Sequence, residues 1–167
     1  MRTRLAIFAL MLATAATVAQ LPAQQPAKQE KQPKATKTYT SAADITAMMA
    51  KAKNERKADQ ANLIQGILNL APYSANLEYR GAVGPAAVHD KEAEMFYVID
   101  GSGTLVTGGK LVGETRNGDN LSGTAVDGGT IQNVGKGDFI MVPEKTPHWF
   151  SKINGTLVLM SIHLPRS

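Results

Sequence analysis

The sequence predicts an all-β fold, a sandwich or small antiparallel barrel, preceded by one N-terminal helix. From residue 61 onward, short stretches rich in β-branched and aromatic residues recur, separated by Gly, Asn, Asp or Pro. Most of the 15 glycines follow residue 80, which indicates many tight turns. Many short strands joined by turns are typical of sandwiches and small barrels. A length of 167 residues suits one domain.

Residues 1–23 are predicted to be a signal peptide. Arg2 and Arg4 precede an apolar run from Leu5 to Ala19 that is diluted by Ala and Thr. A basic start and an apolar run of this length are typical of secretion signals, and the run is too short for a good membrane span. We therefore expect a periplasmic or secreted protein with no stable membrane insertion after cleavage. An uncleaved N-terminal anchor is the alternative.

Residues 24–38, rich in Gln, Pro, Lys and Ala, are predicted to be a disordered linker to a domain at residues 39–167. Six of the 18 basic residues precede residue 38, against one of the 14 acidic residues, so 12 basic and 13 acidic residues remain. The resulting net charge of −1 argues against nucleic acid as a partner. The lack of cysteine excludes disulfides and thiolate metal ligands.

The helix is predicted within residues 38–57. Ser41 can cap its N-terminus, with Asp44 as the acidic partner of a capping box. Four apolar side chains then fall on one helical face, which we expect to pack against the sheet: Ile45, Met48, Met49 and Ala52.

Ten strands are predicted after the helix. They fall at residues 63–70, 76–80, 94–100, 103–109, 110–114, 121–126, 130–134, 138–143, 148–153 and 156–164. The composition predicts turns at 101–103 (GSG), 116–120 and 127–129.

Two of the three histidines stand beside predicted strands. His89 and Glu94 flank a four-residue loop, and in an antiparallel hairpin they would face each other across the strand pair. His148 follows another strand and a turn with two prolines, so it can approach from a different strand. Imidazole and carboxylate suit a borderline divalent metal, which makes these three residues candidate ligands. The alternative is that His89 and Glu94 face solvent.

At these residues the sequence resembles the cupin superfamily. Glu94, followed by six residues and Gly101, fits the end of the family's first motif, and His89 fits its second histidine. Gly137, Pro143 and His148 fit the spacing of the second motif. The resemblance runs from about residue 63 to residue 163. It implies a jelly-roll-like β-barrel, a metal site commonly built from three histidines and a glutamate, and, in many members, a homodimer.

Three positions depart from the family pattern. Ala87 stands at the first histidine, Lys145 at the glycine of the second motif, and Lys152 at its final asparagine. Carried over residue by residue, the resemblance leaves the metal ligands His89, Glu94 and His148, a set that keeps positions open for substrate or oxygen. Because an exported chain meets its metal outside the cytoplasm, we expect zinc or manganese ahead of iron, copper or nickel.

Three further residues are candidates for catalysis or substrate positioning. His163 could be a fourth ligand, a general base, or a hydrogen-bonded strand residue. Tyr79 and Arg80 end a strand and could bind an anionic or carbonyl substrate, although such pairs are more often structural. Of Trp149 and Phe150, strand alternation directs one inward.

The resemblance implies a metal-dependent enzyme acting on a small oxygenated metabolite, for example a dioxygenase, isomerase or lyase. The alternative is a non-catalytic cupin that holds a small ligand with weak or no metal binding. Ala87, which replaces a family ligand, favours this second interpretation.

Overall fold

The computed structural model describes residues 35–166, which form one helix and eleven strands. The helix α1 spans Ala42–Glu55. The strands are β1 (Asn62–Leu70), β2 (Tyr73–Arg80), β3 (Ala86–His89), β4 (Glu92–Thr107), β5 (Lys110–Val112), β6 (Thr115–Asn117), β7 (Asn120–Gly123), β8 (Ala125–Asp127), β9 (Thr130–Gly135), β10 (Phe139–Val142) and β11 (His148–Pro165).

The predicted signal peptide and most of the predicted linker lie outside the described residues. Lys37, at the end of that linker, pairs with Asn69 of β1 through two backbone hydrogen bonds of 2.8 Å. Within residues 35–166, no helix is long and apolar enough to cross a membrane.

The helix forms as its sequence predicts. Ser41 is the N-cap, and its hydroxyl accepts a hydrogen bond from the backbone N–H of Asp44 at 3.1 Å. The Asp44 carboxylate in turn accepts from the Ser41 backbone N–H at 3.1 Å, which completes the capping box. Ala52 is fully buried, and the apolar stripe packs against side chains of β1, β2 and β11, as expected.

The sheet is organised around β11, its longest strand. This strand pairs antiparallel with β2 along one edge and with β4 along the other. Outward from these, β1 pairs with β2, while β9 and β10 pair with β4. The start of β11 meets β3, which continues to β7 and β6, and β5 pairs separately with β8. The antiparallel pairings and the single helix confirm the predicted all-β class.

Several strand boundaries differ from the prediction, because two predicted breaks are bulges inside long strands. The predicted turn at 101–103 (GSG) is not a turn, because Gly101 lies within β4 and has φ +80°. Any side chain at this position would place its Cβ 2.0 Å from the Thr156 carbonyl oxygen. Likewise, the predicted strands at 148–153 and 156–164 are one strand, β11. Residues 121–126 divide into β7 and β8, and β3 and β6 were not predicted; β6 includes the first two residues of the predicted turn at 116–120.

The main core lies between the inward faces of β4, β9, β10 and β11. Phe150 belongs to it, whereas Trp149 faces the other way and donates its indole N–H to the Gly84 carbonyl at 2.9 Å, so the predicted alternation is correct. Eight buried side chains form this main core: Phe96, Val98, Leu105, Val134, Val142, Phe150, Leu157 and Leu159.

Candidate metal centre

All three histidines of the chain meet at one buried carboxylate. Glu94 is only 4% exposed. Its Oε2 lies 3.2 Å from Nε2 of His89 and 3.1 Å from Nε2 of His148, and its Oε1 lies 3.5 Å from Nε2 of His163. A buried carboxylate is costly unless it is paired, and here three imidazoles surround it.

Three different strand positions deliver the histidines to this point. His163 is directly opposite Glu94 in the ladder between β11 and β4, so the two side chains share a face. His148 is the first residue of β11, and His89 is the last residue of β3. Residues far apart in the sequence are therefore brought together by the sheet.

The predicted hairpin between His89 and Glu94 is wrong. β3 pairs with β7 and, at a single residue, with β11, so His89 lies opposite Asn120 rather than opposite a residue of β4. The side-chain oxygen Oδ1 of Asn120 lies 2.8 Å from Nδ1 of His89. This contact turns the imidazole so that Nε2 faces Glu94, and the two residues still meet.

The turn before β11 positions two of the histidines. Lys145, at the family's glycine position, has φ +60°, a left-handed conformation that favours glycine. In this conformation its backbone N–H donates to the His89 carbonyl oxygen at 2.7 Å, which ties the turn to the end of β3. One residue later, the Thr146 carbonyl oxygen lies 3.2 Å from Nδ1 of His148.

His163 is oriented by Glu92. Oε1 of Glu92 lies 2.8 Å from Nδ1 of His163 and 3.7 Å from Nδ1 of His89. Thus each histidine directs Nε2 to Glu94 and has an oxygen partner at Nδ1, as metal-binding histidines usually do. Ligand atoms of His89, Glu94 and His163 lie within 4.8 Å of one another, so this His/His/Glu group could hold a metal ion.

The donor set therefore fits a divalent metal. Imidazole nitrogens and one carboxylate are ligands of zinc, manganese and related ions. A metal held there can polarise a carbonyl or activate a bound water. The residues whose ligand atoms all lie within 4.8 Å of one another are His89, Glu94 and His163, and His148 is not among them. Ligation by His89, Glu94 and His148 therefore stays a prediction.

The charges within the cluster are mutually dependent. Burial opposes the protonated form of His89, but its contacts with Glu94 and Asn120 and the nearby carboxylates outweigh burial and raise its pKa to about 9. Burial likewise opposes ionised Glu94, but His148 and His89, with the charge of His163, lower its pKa to about 2. At neutral pH the metal-free site thus holds an anionic carboxylate and a cationic imidazole.

A cavity of about 340 Å³ opens beside the cluster. Arg80 lines it, as do all three histidines and Glu94, so the structure brings this sequence candidate to the site. Tyr79 is not brought there: alternation along β2 directs it to the opposite face, where it packs in the apolar cluster beneath α1.

Four residues in and around the site were not predicted from the sequence. Asn120 and Glu92 orient histidines, and Asn62 and Glu78 line the cavity beside Arg80. Spacing was a signal in the sequence for Glu92, two residues before Glu94, and for Glu78, two residues before Arg80, because each pair shares a strand face. Asn120 and Asn62 depend on the pairing of strands.

The small all-β fold, with a His/His/Glu group beside its core that could hold a metal ion, defines a class of β proteins. The cupin family model matches residues 47–163, and the chain belongs to the cupin family. No curated protein sequence shows significant similarity to it.

Parts of this chain are similar to three solved structures. The Schizosaccharomyces pombe Cnp3 cupin domain is 14% identical, with a TM-score of 0.48 over 64% of this chain and 63% of that chain. KdgF from Halomonas sp. is 15% identical, with a TM-score of 0.49 over 67% and 86%. Hydroxypropylphosphonic acid epoxidase from S. wedmorenis is 14% identical, with a TM-score of 0.48 over 62% and 51%. The chain thus spans under two thirds of the first and third structures.

Proposed function

We propose that this chain is an exported, metal-dependent cupin enzyme that acts on a small oxygenated metabolite. His89, Glu94 and His148 hold the metal, zinc or manganese, and His163 completes the site as a fourth ligand or as the base on the substrate side. The observation that carries the proposal is the convergence of every histidine of the chain, each through Nε2, on one buried carboxylate.

The surroundings of the cluster support chemistry in addition to metal storage. The cluster opens into a cavity large enough for a small molecule. Three of the four polar groups are fixed by partners outside the cluster, so they are held in place before a substrate arrives. Ala87, in place of a family histidine, lines the cavity and leaves room beside the cluster.

Metal content tests the proposal. The full-length chain is expressed with export to the periplasm, and the bound metal is measured by mass spectrometry for wild type, the double variant His89→Ala/His148→Ala, and His163→Ala. Glu114→Gln, a change at an exposed carboxylate, is the control. We expect about one equivalent of a single metal in wild type and control, and loss of it in the double variant.

Each outcome has a distinct meaning. Metal retained by His163→Ala with turnover lost would assign His163 to the substrate side. A wild-type protein without metal would overturn the enzyme proposal and leave a ligand-binding barrel. Cell fractionation tests export: an unprocessed cytoplasmic product would contradict the predicted signal peptide.

A further inference from the structure

A second polar group lines the same cavity and involves none of the histidines. Asn62 and Arg80 lie opposite each other in the ladder of β1 and β2, and Glu78 shares the face of Arg80. Glu78 is 4% exposed, and its Oε2 accepts from Nε of Arg80 at 2.9 Å, Nη2 of Arg80 at 2.5 Å and Nδ2 of Asn62 at 3.1 Å.

Arg80 is held rigidly but is not saturated. Its guanidinium carbon lies 4.7 Å from the centre of the Phe150 ring, and Glu78 occupies Nε and Nη2. Within residues 35–166, Nη1 has no hydrogen-bond partner, and it lies close to Gly84 in the wall of the cavity. The Nη1 nitrogen of Arg80 is therefore free to donate to a ligand.

Asn62 supplies the matching acceptor. Donation from Nδ2 to Glu78 fixes the orientation of its amide, so Oδ1 is the atom left to accept a hydrogen bond, and Asn62 lines the cavity. This oxygen is buried and, within residues 35–166, has no hydrogen-bond partner. A buried carbonyl oxygen without a donor costs about 1–3 kcal/mol, which a bound donor would recover.

We propose that Asn62 and Arg80 form the substrate-recognition subsite of this cavity and select a neutral hydroxyl group. The hydroxyl accepts a hydrogen bond from Nη1 of Arg80 and donates its proton to Oδ1 of Asn62. This inference rests on the proposed function for the identity of the bound molecule as substrate, but the selection itself involves no metal.

Charge excludes the obvious alternatives. Glu78 neutralises Arg80, so the ion pair has no net charge with which to attract an anion or a cation. A carboxylate carries no proton for Oδ1 of Asn62, and its second oxygen would meet that acceptor lone pair to lone pair. An ammonium group could donate to Asn62 but would face the cation of Arg80. A hydroxyl satisfies both groups, because it is both donor and acceptor.

The remaining lining limits the size and polarity of the molecule. Ile64, Pro85 and Ala87 give the cavity apolar walls, and its volume of about 340 Å³ is at the small end for ligand pockets. The substrate class is thus a small, uncharged, hydroxylated molecule, one end of which reaches the histidine cluster.

Matched probe pairs test this selection. Hydroxyacetone and pyruvate, propane-1,2-diol and lactate, and glycerol and glycerate each differ only by CH₂OH against a carboxylate. Dissociation constants are measured by amide chemical-shift titration of the full-length chain, without metal and with one equivalent of zinc. In the metal-free protein we expect the CH₂OH member of at least one pair to bind about tenfold more tightly.

Two variants make the result specific. Asn62→Leu removes the acceptor with little change in volume and should abolish the preference. Asn133→Leu, the same substitution on the exposed face of β9, should retain it. Equal or tighter carboxylate binding, no binding by any probe, or a preference that survives Asn62→Leu would overturn the subsite. The metal-free titration tests the subsite alone. A protein that failed to bind metal could therefore still show the preference, so the failure of the proposed function and the failure of the subsite are distinguishable.

Discussion

The facing strands β4 and β11 carry two regions of opposite character on one continuous surface. Their inward side chains are paired across the ladder, and along the strands these pairs change from apolar to charged: Val98 with Leu159, Phe96 with Ser161, and Glu94 with His163. The first pair belongs to the main core and the last to the candidate metal centre. Ser161, between them, is fully buried, and its hydroxyl has no partner among the described residues.

The same alternation of side chains along β4 and β11 therefore builds two regions that are stabilised in different ways. The core is held by burial, so each side chain contributes independently of pH and through its volume. The metal centre is held by interdependent charges, so the contribution of each residue depends on the protonation of the others. The core should therefore respond to changes in side-chain volume, and the centre should respond to pH and metal.

The largest effect is expected from Phe96→Ala. Phe96 is 1% exposed and packs edge-to-face on Phe150, with ring centres 5.3 Å apart. Removing it leaves a cavity in the core, and we expect the free energy of unfolding to fall by about 3–5 kcal/mol in chemical denaturation. Phe139→Ala, at a ring that is 69% exposed, is the matched control and should cost less than about 1 kcal/mol. Equal losses at the two sites would contradict the assigned core.

The charged region should give the metal-free protein a distinct pH profile. The raised pKa of His89 stabilises the fold fully below its unfolded value near 6.5, and this contribution is lost as pH rises through about 9. The lowered pKa of Glu94 stabilises above about 4.5, and that contribution is lost as pH falls toward 2. We expect up to about 3 kcal/mol to be lost between pH 6.5 and 9. Glu94→Gln should flatten this decline, and an unchanged slope would contradict the pairing.

Zinc affinity should rise with pH over the range in which the metal-free protein loses stability. A metal binds the neutral imidazole, so the proton of His89 must leave when zinc enters. Zinc affinity measured by competition titration should therefore rise with pH up to about 9, by as much as about tenfold per pH unit. An affinity independent of pH between 7 and 9 would show that His89 does not ligate.

A smaller effect, in the stabilising direction, is expected where the two regions meet. Ser161→Ala removes a buried hydroxyl that has no partner in the described part of the chain. We expect the free energy of unfolding to rise by about 1 kcal/mol. Ser151→Ala is the matched control, because the Ser151 hydroxyl donates to the Thr104 carbonyl at 3.4 Å and its loss should be neutral or slightly destabilising. Destabilisation by Ser161→Ala alone would indicate that its hydroxyl is bonded in solution.

The sequence predicted the apolar region better than the charged one, for a physical reason. Strand alternation and helix periodicity are local, so neighbouring residues predicted α1 and predicted that one of Trp149 and Phe150 faces inward. The meeting of His163 with Glu94 depends on the register of two strands about seventy residues apart, which local patterns leave open. The subsite at Asn62 depends on register in the same way.

The turn at Lys145 is a local feature, but the sequence pointed to it only because Lys145 stands at the glycine position of the family motif. Its φ of +60° is strained for a residue with a side chain. Lys145→Gly should raise the free energy of unfolding by about 0.5–1 kcal/mol while keeping the 2.7 Å hydrogen bond to His89. Lys136→Gly, at a turn residue without positive φ, should have the opposite sign. A loss of stability in Lys145→Gly would mean that the lysine side chain contributes more than the strain removes.

The smallest effect is expected from Tyr79→Phe, which separates the two faces of β2. Glu78 and Arg80 line the cavity, whereas Tyr79 packs beneath α1. Removing its hydroxyl should leave metal content and turnover unchanged and alter the free energy of unfolding by less than about 0.5 kcal/mol. Arg80→Lys, one residue along, loses the double contact to Glu78 and should weaken binding of hydroxylated probes. If Tyr79→Phe lowered turnover with metal intact, the Tyr79 hydroxyl would contact the substrate. The sequence-based prediction of Tyr79 as a site residue would then be correct, and its placement on the opposite face of β2 would be wrong.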